Sequence, residues 1–149
     1  RMNPPLREEA DRMAILEAVR DGVIDVIATD HAPHSPEEKA DFRKAPNGIV
    51  GLETSFAACM TSLVHPGIIS LYGLVERMST LPAKIMQLPA GTLKSGAAAD
   101  VVLFDPQESW TVDPQALRSK ARNTPFKGMT LKGRVKMTVL SGRTVFDIR

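Results

Sequence analysis

The sequence predicts an α/β fold, on three observations. A charged, amphipathic stretch runs into a β-branched apolar run after almost no loop, that run stops abruptly at Asp30, and the last sixty residues change to strand-like patterning. Helix, short turn, then buried strand is the rhythm of parallel α/β architecture. Strands of such sheets are covered on both faces and read as continuous Val/Ile runs.

In order along the chain, Asn3-Pro4-Pro5 cannot continue a helix, because proline removes a donor and restricts the residue before it. Glu8 to Asp21 reads as a helix with Glu8, Glu9 and Asp11 at its dipole-positive end, Met13, Ile15, Leu16 and Val19 on its apolar face, and Gly22 as its stop. Val23 to Ala28 follows as the strand. Residues 33–50 read as a long polar loop, a length that suits a lid or binding loop. Leu52, Phe56, Met60, Leu63 and Val64 form one helical stripe, which His65-Pro66-Gly67 stops, with His65 read as a capping or surface residue. Leu71, Leu74, Val75 and Met78 form a second helix. Pro82, near the start of a third, precedes Ile85, Met86 and Leu88. These stripes are expected to face the core.

The character changes at Pro89. Val101 to Phe104 reads as a strand that Asp105-Pro106 ends, Trp110 to Val112 as a second short strand, and Val135, Met137 and Val139 as a half-buried strand of period two. Ser141-Gly142 turns that strand into Arg143 to Phe146 as a tight hairpin. The chain thus divides at 1–89 and 90–149, with Asn123 to Gly128 as an irregular crossing segment.

Composition narrows the function. With 149 residues, 43% apolar and 24% charged, the chain has the make-up of a globular protein able to form an ordinary core. A net charge of +2 with the signs interleaved gives no case for nucleic acid or for an anionic membrane surface. A single cysteine, Cys59, excludes a disulfide framework and suits a reducing compartment. No apolar run reaches spanning length and no signal-peptide layout opens the chain, so a cytoplasmic protein is expected.

The chemistry gathers at Ala28-Thr29-Asp30-His31-Ala32-Pro33-His34. The carboxyl edge of a parallel sheet is where ligands and catalytic groups collect. A carboxylate there, backed by His31 and His34, can ligate a divalent metal, take a proton or help grip an anion. The same residues also fit a helix N-cap at Asp30, a packed core histidine at His31 and an ordinary loop residue at His34. One strand cannot make a sheet. The chain opens on Arg1-Met2-Asn3 as a loop already under way, and a (β/α)8 barrel needs about 250 residues. The expectation is therefore the end of such a barrel, the remaining strands being encoded upstream.

Met2-Asn3-Pro4-Pro5-Leu6-Arg7, Ala28 to His34, and Ala45-Pro46-Asn47-Gly48-Ile49-Val50-Gly51-Leu52-Glu53-Thr54 together resemble the C-terminal third of class I (bacterial-type) dihydroorotases of the amidohydrolase superfamily. Gly91-Thr92-Leu93, Ala99-Asp100-Val101-Val102 and Asn123-Thr124-Pro125-Phe126 extend the resemblance along the whole chain. It implies the C-terminal part of a TIM-like (β/α)8 barrel plus part of a small β-sandwich built from both chain ends. It also implies a zinc-dependent cyclic amidase, with one or two Zn2+ ions, interconverting dihydroorotate and N-carbamoyl-L-aspartate in pyrimidine synthesis. By resemblance Asp30 is a zinc ligand and general base, Asn3 and His34 bind substrate, and Asn47 and Gly48 touch it through their backbone. Many relatives carry Phe where this chain has Asn47, and a backbone contact survives that exchange.

The family's remaining ligands, a His-x-His pair, a bridging carboxylate or modified lysine and two further histidines, lie upstream of Arg1. The chain alone is therefore expected to be inactive and to bind zinc weakly. The missing N-terminal part of the same protein, a second copy in a homodimer and an aspartate carbamoyltransferase are the partners the resemblance implies. Alternative functions are an inactive dihydroorotase-like scaffold subunit of that transferase, and a related allantoinase- or hydantoinase-type amidase. An independent all-β binding module at 90–149 is a third, disfavoured because sixty residues bury a marginal core.

Overall fold

Glu8, in extended backbone, leads into α1 (Glu9–Arg20), whose first turn carries Glu9 and Asp11. In this computed structural model, which describes residues 1–149, α1 buries Val19 and half-buries Leu16, while Met13 and Ile15 stay exposed. The apolar face read from the sequence is thus only partly covered. The end of α1 is clamped by Arg77, which donates to the carbonyls of Val19 (2.9 Å), Ile24 (3.2 Å) and Gly73 (3.2 Å). A guanidinium there satisfies an orphan carbonyl and complements the dipole.

Val23 to Ala28 does not form the expected strand. It runs as an irregular segment, with Val23 exposed and Ile24, Val26 and Ile27 only half-buried. Its backbone contacts go to helical segments, from the Val23 and Ile24 N–H groups to Ala18 O (2.9 and 3.2 Å) and from Ile27 N–H to Arg77 O (3.1 Å). A strand needs a hydrogen-bonded partner, and within this chain none lies beside it. The one parallel pairing comes just beyond, as an isolated bridge between His31 and Ile49.

The 33–50 loop contains a short helix that the polar composition hid. In α2 (Pro36–Lys39), Ser35 accepts from the Glu38 N–H while the Glu38 carboxylate accepts from the Ser35 N–H. This is a capping box with proline at the first helical position.

The helical stripes are longer and less regular than read. The helix α3 (Ser55–Cys59) continues as a π-turn over Met60–Val64. Thr61 and Ser62 hydroxyls bond back to the carbonyls of Ala57 and Ala58, both at 2.7 Å. Leu52 lies before this helix and is exposed. Ser70 caps α4 (Leu71–Val75). A π-turn (Glu76–Thr80) and α5 (Leu81–Ile85) then follow without a break, so Pro82 does not open a separate third helix. Pro82 has no N–H for the Met78 carbonyl, and the wider π-turn carries the helix past that gap. Ile85, Met86 and Leu88, expected in the core, are exposed.

β1 (Val101–Thr111), β2 (Thr130–Leu140) and β3 (Arg143–Asp147) form an antiparallel sheet in that order, with Val101 opposite Val139, Trp110 opposite Leu131 and Thr138 opposite Phe146. Asp105-Pro106 does not end a strand. Asp105 accepts from the amides of Gln107 (2.8 Å) and Glu108 (3.1 Å), and the resulting bulge lets one edge strand run through the proline. The hairpin is as read: Ser141 (φ 49°) and Gly142 (φ 76°) both take the left-handed backbone of a type I′ turn.

Period-two burial fails in β2, where Arg134 and Lys136 are as covered as Val135 and Met137. The reason is Glu108, which pairs with Arg134 (3.0 Å) and Lys136 (2.8 Å). Arg134 also stacks 5.6 Å above the Trp110 ring. The Lys136 hydrogen bond, with Arg134 beside it, holds the Glu108 carboxyl below the ordinary glutamate value. Its contribution to stability is therefore complete above about pH 4.3 and is lost as pH falls through the lower folded value. Glu108→Gln is expected to lower Tm at neutral pH and to converge on the parent in acid, once pH has fallen below the lowered folded value. A gap in thermal melts that keeps its size as pH falls through the acid range would contradict this.

Val19, Met60, Leu63, Ile69 and Leu74 make the main core. Val50, Leu117 and Ala121 make a second, and Ala57, Val112 and Leu131 join α3 to the sheet. His65 is not a cap: its Nε2 meets the Pro106 carbonyl at 2.9 Å and ties the helical part to β1. The accessible surface is 10111 Å², against about 7,500 Å² for a folded monomer of this mass. Val102, Leu103, Leu140 and Val145 contribute to the excess as exposed side chains of the sheet.

Candidate active site

Two loops and one asparagine frame the site. The His31–Ile49 bridge sets the 29–34 and 47–52 segments side by side, and Ala32 N–H donates to Ile49 O at 2.9 Å. His31 Nδ1 accepts from the amides of Gly51 (3.1 Å) and Leu52 (3.5 Å). Its neutral ring therefore carries its proton on Nε2. His31 anchors the second loop and makes no hydrogen bond to Asp30.

Asp30 lies at the turn between the apolar segment and that bridge. Its φ of 45° is left-handed, its side chain is exposed, and its carboxylate accepts no hydrogen bond within the chain. The N-cap alternative falls, because Ser35 caps the next helix. Asp tolerates the left-handed region better than most residues. An uncommon backbone there with an unspent carboxylate is the kind of strain that collects at functional positions.

His34 uses its ring inside the chain. Nε2 lies 3.1 Å from the Asn47 carbonyl and so donates to it, while Nδ1 is 3.6 Å from the Glu38 carboxylate. Gly48 is a junction whose N–H donates to Arg1 O (3.2 Å) and whose carbonyl accepts from Lys39 Nζ (2.9 Å) and Asn123 Nδ2 (3.0 Å). Its φ is 140° and an added Cβ would sit 2.5 Å from Ala32 Cβ, so glycine is required. Both Gly48 backbone groups expected to touch substrate are thus bonded internally.

Asn3 and Asn47 line an open cleft of about 760 Å³ with Met2, Leu6, Phe42 and Asn123. His34 lines a smaller neighbour of about 170 Å³ with Lys39, Arg122 and Asn123. Asp30 borders neither. The chain therefore unites Asn3 with Asn47, and His34 with Asn47 and Gly48, and leaves Asp30 on an open side of the same frame.

Lys39 and Asn123 were given no role from the sequence. Lys39 spends its three donors on the carbonyls of Arg1 (3.0 Å), Pro46 (2.8 Å) and Gly48 (2.9 Å). Nothing local marks it. Asn123 was legible only as part of an irregular Asn-Thr-Pro-Phe stretch.

No three His, Cys, Asp or Glu side chains converge to hold a metal. The donor set fits zinc only in part: Asp30 offers a free carboxylate, while His31 Nδ1, His34 Nε2 and His65 Nε2 are engaged with the main chain.

Helices and loops that present an unspent carboxylate, joined to an antiparallel sheet, make a mixed α/β arrangement, and the comparisons give its family. The chain matches the amidohydrolase family over residues 3–145, and it belongs to that family. It is 51% identical over 148 residues to a dihydroorotase of Clostridioides difficile and 53% identical over 148 residues to one of Anaeromyxobacter dehalogenans; each alignment covers 99% of this chain. It spans about a third of those relatives, 35% and 34% of their lengths. Among solved structures it is similar to the L-hydantoinase (dihydropyrimidinase) of Arthrobacter aurescens, with TM-score 0.91 and 35% identity over 99% of this chain and 34% of that one. It is also similar to the D-hydantoinase of a Thermus species, with TM-score 0.89 and 29% identity over 98% of this chain and 33% of that one. The expected fold class, the end of an amidohydrolase barrel with a β-sandwich segment, is the observed one. No helix is long and apolar enough to cross a membrane.

Proposed function

We propose that this chain is the Asp30-bearing third of a zinc-dependent dihydroorotase, which opens and closes the cyclic amide of dihydroorotate in pyrimidine synthesis. The observation that carries the reading is the strained, unpartnered Asp30 at the end of the inner segment. Identity of about half with dihydroorotases along the whole chain supports it. The excess of exposed apolar surface fits a chain that packs against further polypeptide of the same protein.

In this reading Asp30 takes the proton from the attacking water and returns it to the departing amide nitrogen, one carboxylate acting as base and then as acid. Asp30, with ligands outside this chain, would hold the zinc ion, whose chemistry there would be to make a water acidic enough to attack at neutral pH. Asn3 and Asn47 face the substrate from the cleft. His34 steadies the Asn47 carbonyl and lends positive charge near the substrate carboxylate when protonated. The enzyme works in the cytoplasm as a homodimer, and an aspartate carbamoyltransferase is its candidate partner.

Likeness to two hydantoinases, both also named dihydropyrimidinases, favours a second reading, a hydantoin or another cyclic amide as substrate. Retention of Asp30, His34 and Asn3 disfavours an inactive scaffold. The test is to assay the complete protein and the 149-residue chain alone on dihydroorotate, hydantoin and allantoin, with metal analysis of each. Dihydroorotate is expected to be the preferred substrate of the complete protein, with no turnover by the chain alone. Preference for hydantoin or allantoin, or stoichiometric zinc and full turnover in the chain alone, would overturn the proposal.

A further inference from the structure

Asn123 reaches the candidate site from the far part of the sequence, and every polar atom of its side chain is used there. Oδ1 accepts the His34 N–H at 3.3 Å, and Nδ2 donates to Ala32 O at 3.1 Å and Gly48 O at 3.0 Å. Its own carbonyl accepts the Val50 N–H at 3.2 Å. One residue thus ties together the two loops that carry His34 and Asn47, across 89 and 75 positions of sequence from His34 and Gly48.

Asn123 is itself fixed from behind. Glu53 accepts from the amides of Arg118 (2.9 Å) and Ser119 (3.1 Å), and Leu117 and Ala121 pack on buried Val50. On the opposite side, Lys39 shares the Gly48 carbonyl with it. A carbonyl oxygen has two lone pairs, and here each has a donor.

We propose that Asn123 is a positioning residue for cyclic-amide hydrolysis, which sets the spacing between the His34 loop and the Asn47 loop and so the placement of the substrate ring. The assignment rests on the reading that these loops bind the substrate. An amide is the side chain that does this. It offers one acceptor to an N–H and two donors to carbonyls from a single planar group, whereas an isosteric carboxylate would face those carbonyls with lone pairs.

The test uses the complete protein carrying Asn123→Ala or Asn123→Asp, with steady-state kinetics on dihydroorotate and site-resolved amide hydrogen exchange. Both variants are expected to raise KM about tenfold and to lower kcat/KM about 10²-fold, the scale of an ångström-sized misplacement. Asn123→Ala speeds exchange at the His34 amide. Asn123→Asp keeps that amide protected, because the acceptor remains, and still raises KM. Exchange in α1 and β2 stays as in the parent. Unchanged KM in both variants overturns the proposal, as does faster exchange throughout the protein, which marks a purely structural role. If the parent opens no cyclic amide, the functional reading fails on its own. The proposal is then decided by whether exchange changes only at residues 32–34 and 47–50.

Discussion

Asp30→Asn in the complete protein is expected to lower kcat by about 10²–10⁴-fold, the usual cost of removing a general acid–base. In the metal-free protein, Tm is expected to stay within about a degree or two of the parent. The Asp30 side chain is exposed and accepts no hydrogen bond within the chain, so the fold loses no contact when it goes. Asn is the informative exchange because it tolerates the φ of 45° as well as Asp does. Ala at that backbone adds roughly 1–2 kcal/mol of strain and confuses stability with chemistry. Steady-state rates at saturating substrate, read beside a thermal melt, make the comparison. A kcat within threefold of the parent would contradict the role assigned to Asp30.

Gly133→Val is expected to destabilise the protein by about 2–5 kcal/mol, combining a strained left-handed backbone with overpacking. Gly133 has a φ of 86°, and a Cβ there would meet Met60 Cγ at 2.7 Å and Met60 Cβ at 3.0 Å. Met60 is 1% exposed and packed in the main core, so it has nowhere to retreat. The Gly133 carbonyl also holds the Trp110 indole N–H at 3.1 Å, so displacing this backbone loosens two strands of the sheet. Gly128 is the control. It has a φ of 75° with nothing within 4 Å of an added Cβ, so Gly128→Ala reports backbone strain alone. Denaturant unfolding of Gly133→Ala against Gly128→Ala isolates the packing part, and equal losses would show that Met60 yields.

What was legible in the sequence was local. The type I′ hairpin follows from two residues able to take positive φ, and α1 from its acidic first turn and glycine stop. The position of Asp30 followed from an apolar run ending at a carboxylate. What failed depended on neighbours. Val23 to Ala28 has strand composition but no partner strand within the chain, so no ladder forms. Pro82 and Pro106 looked like terminators because proline removes a donor; a π-turn and an Asx-braced bulge absorb that loss. Ile85, Met86 and Leu88 keep an apolar stripe with nothing in this chain to cover it. Lys39 and Asn123 act on main-chain carbonyls, which have no side-chain signature, so no motif could announce their partners.

The most direct measurement of the central claim is activity by complementation. The 149-residue chain is mixed with the separately expressed remainder of the complete protein, and ring opening of dihydroorotate is followed. Turnover is expected to return with the parent chain and to stay absent with its Asp30→Asn form. Turnover by the remainder alone, or equal recovery with Asp30→Asn, would contradict the claim that this chain supplies the reacting carboxylate.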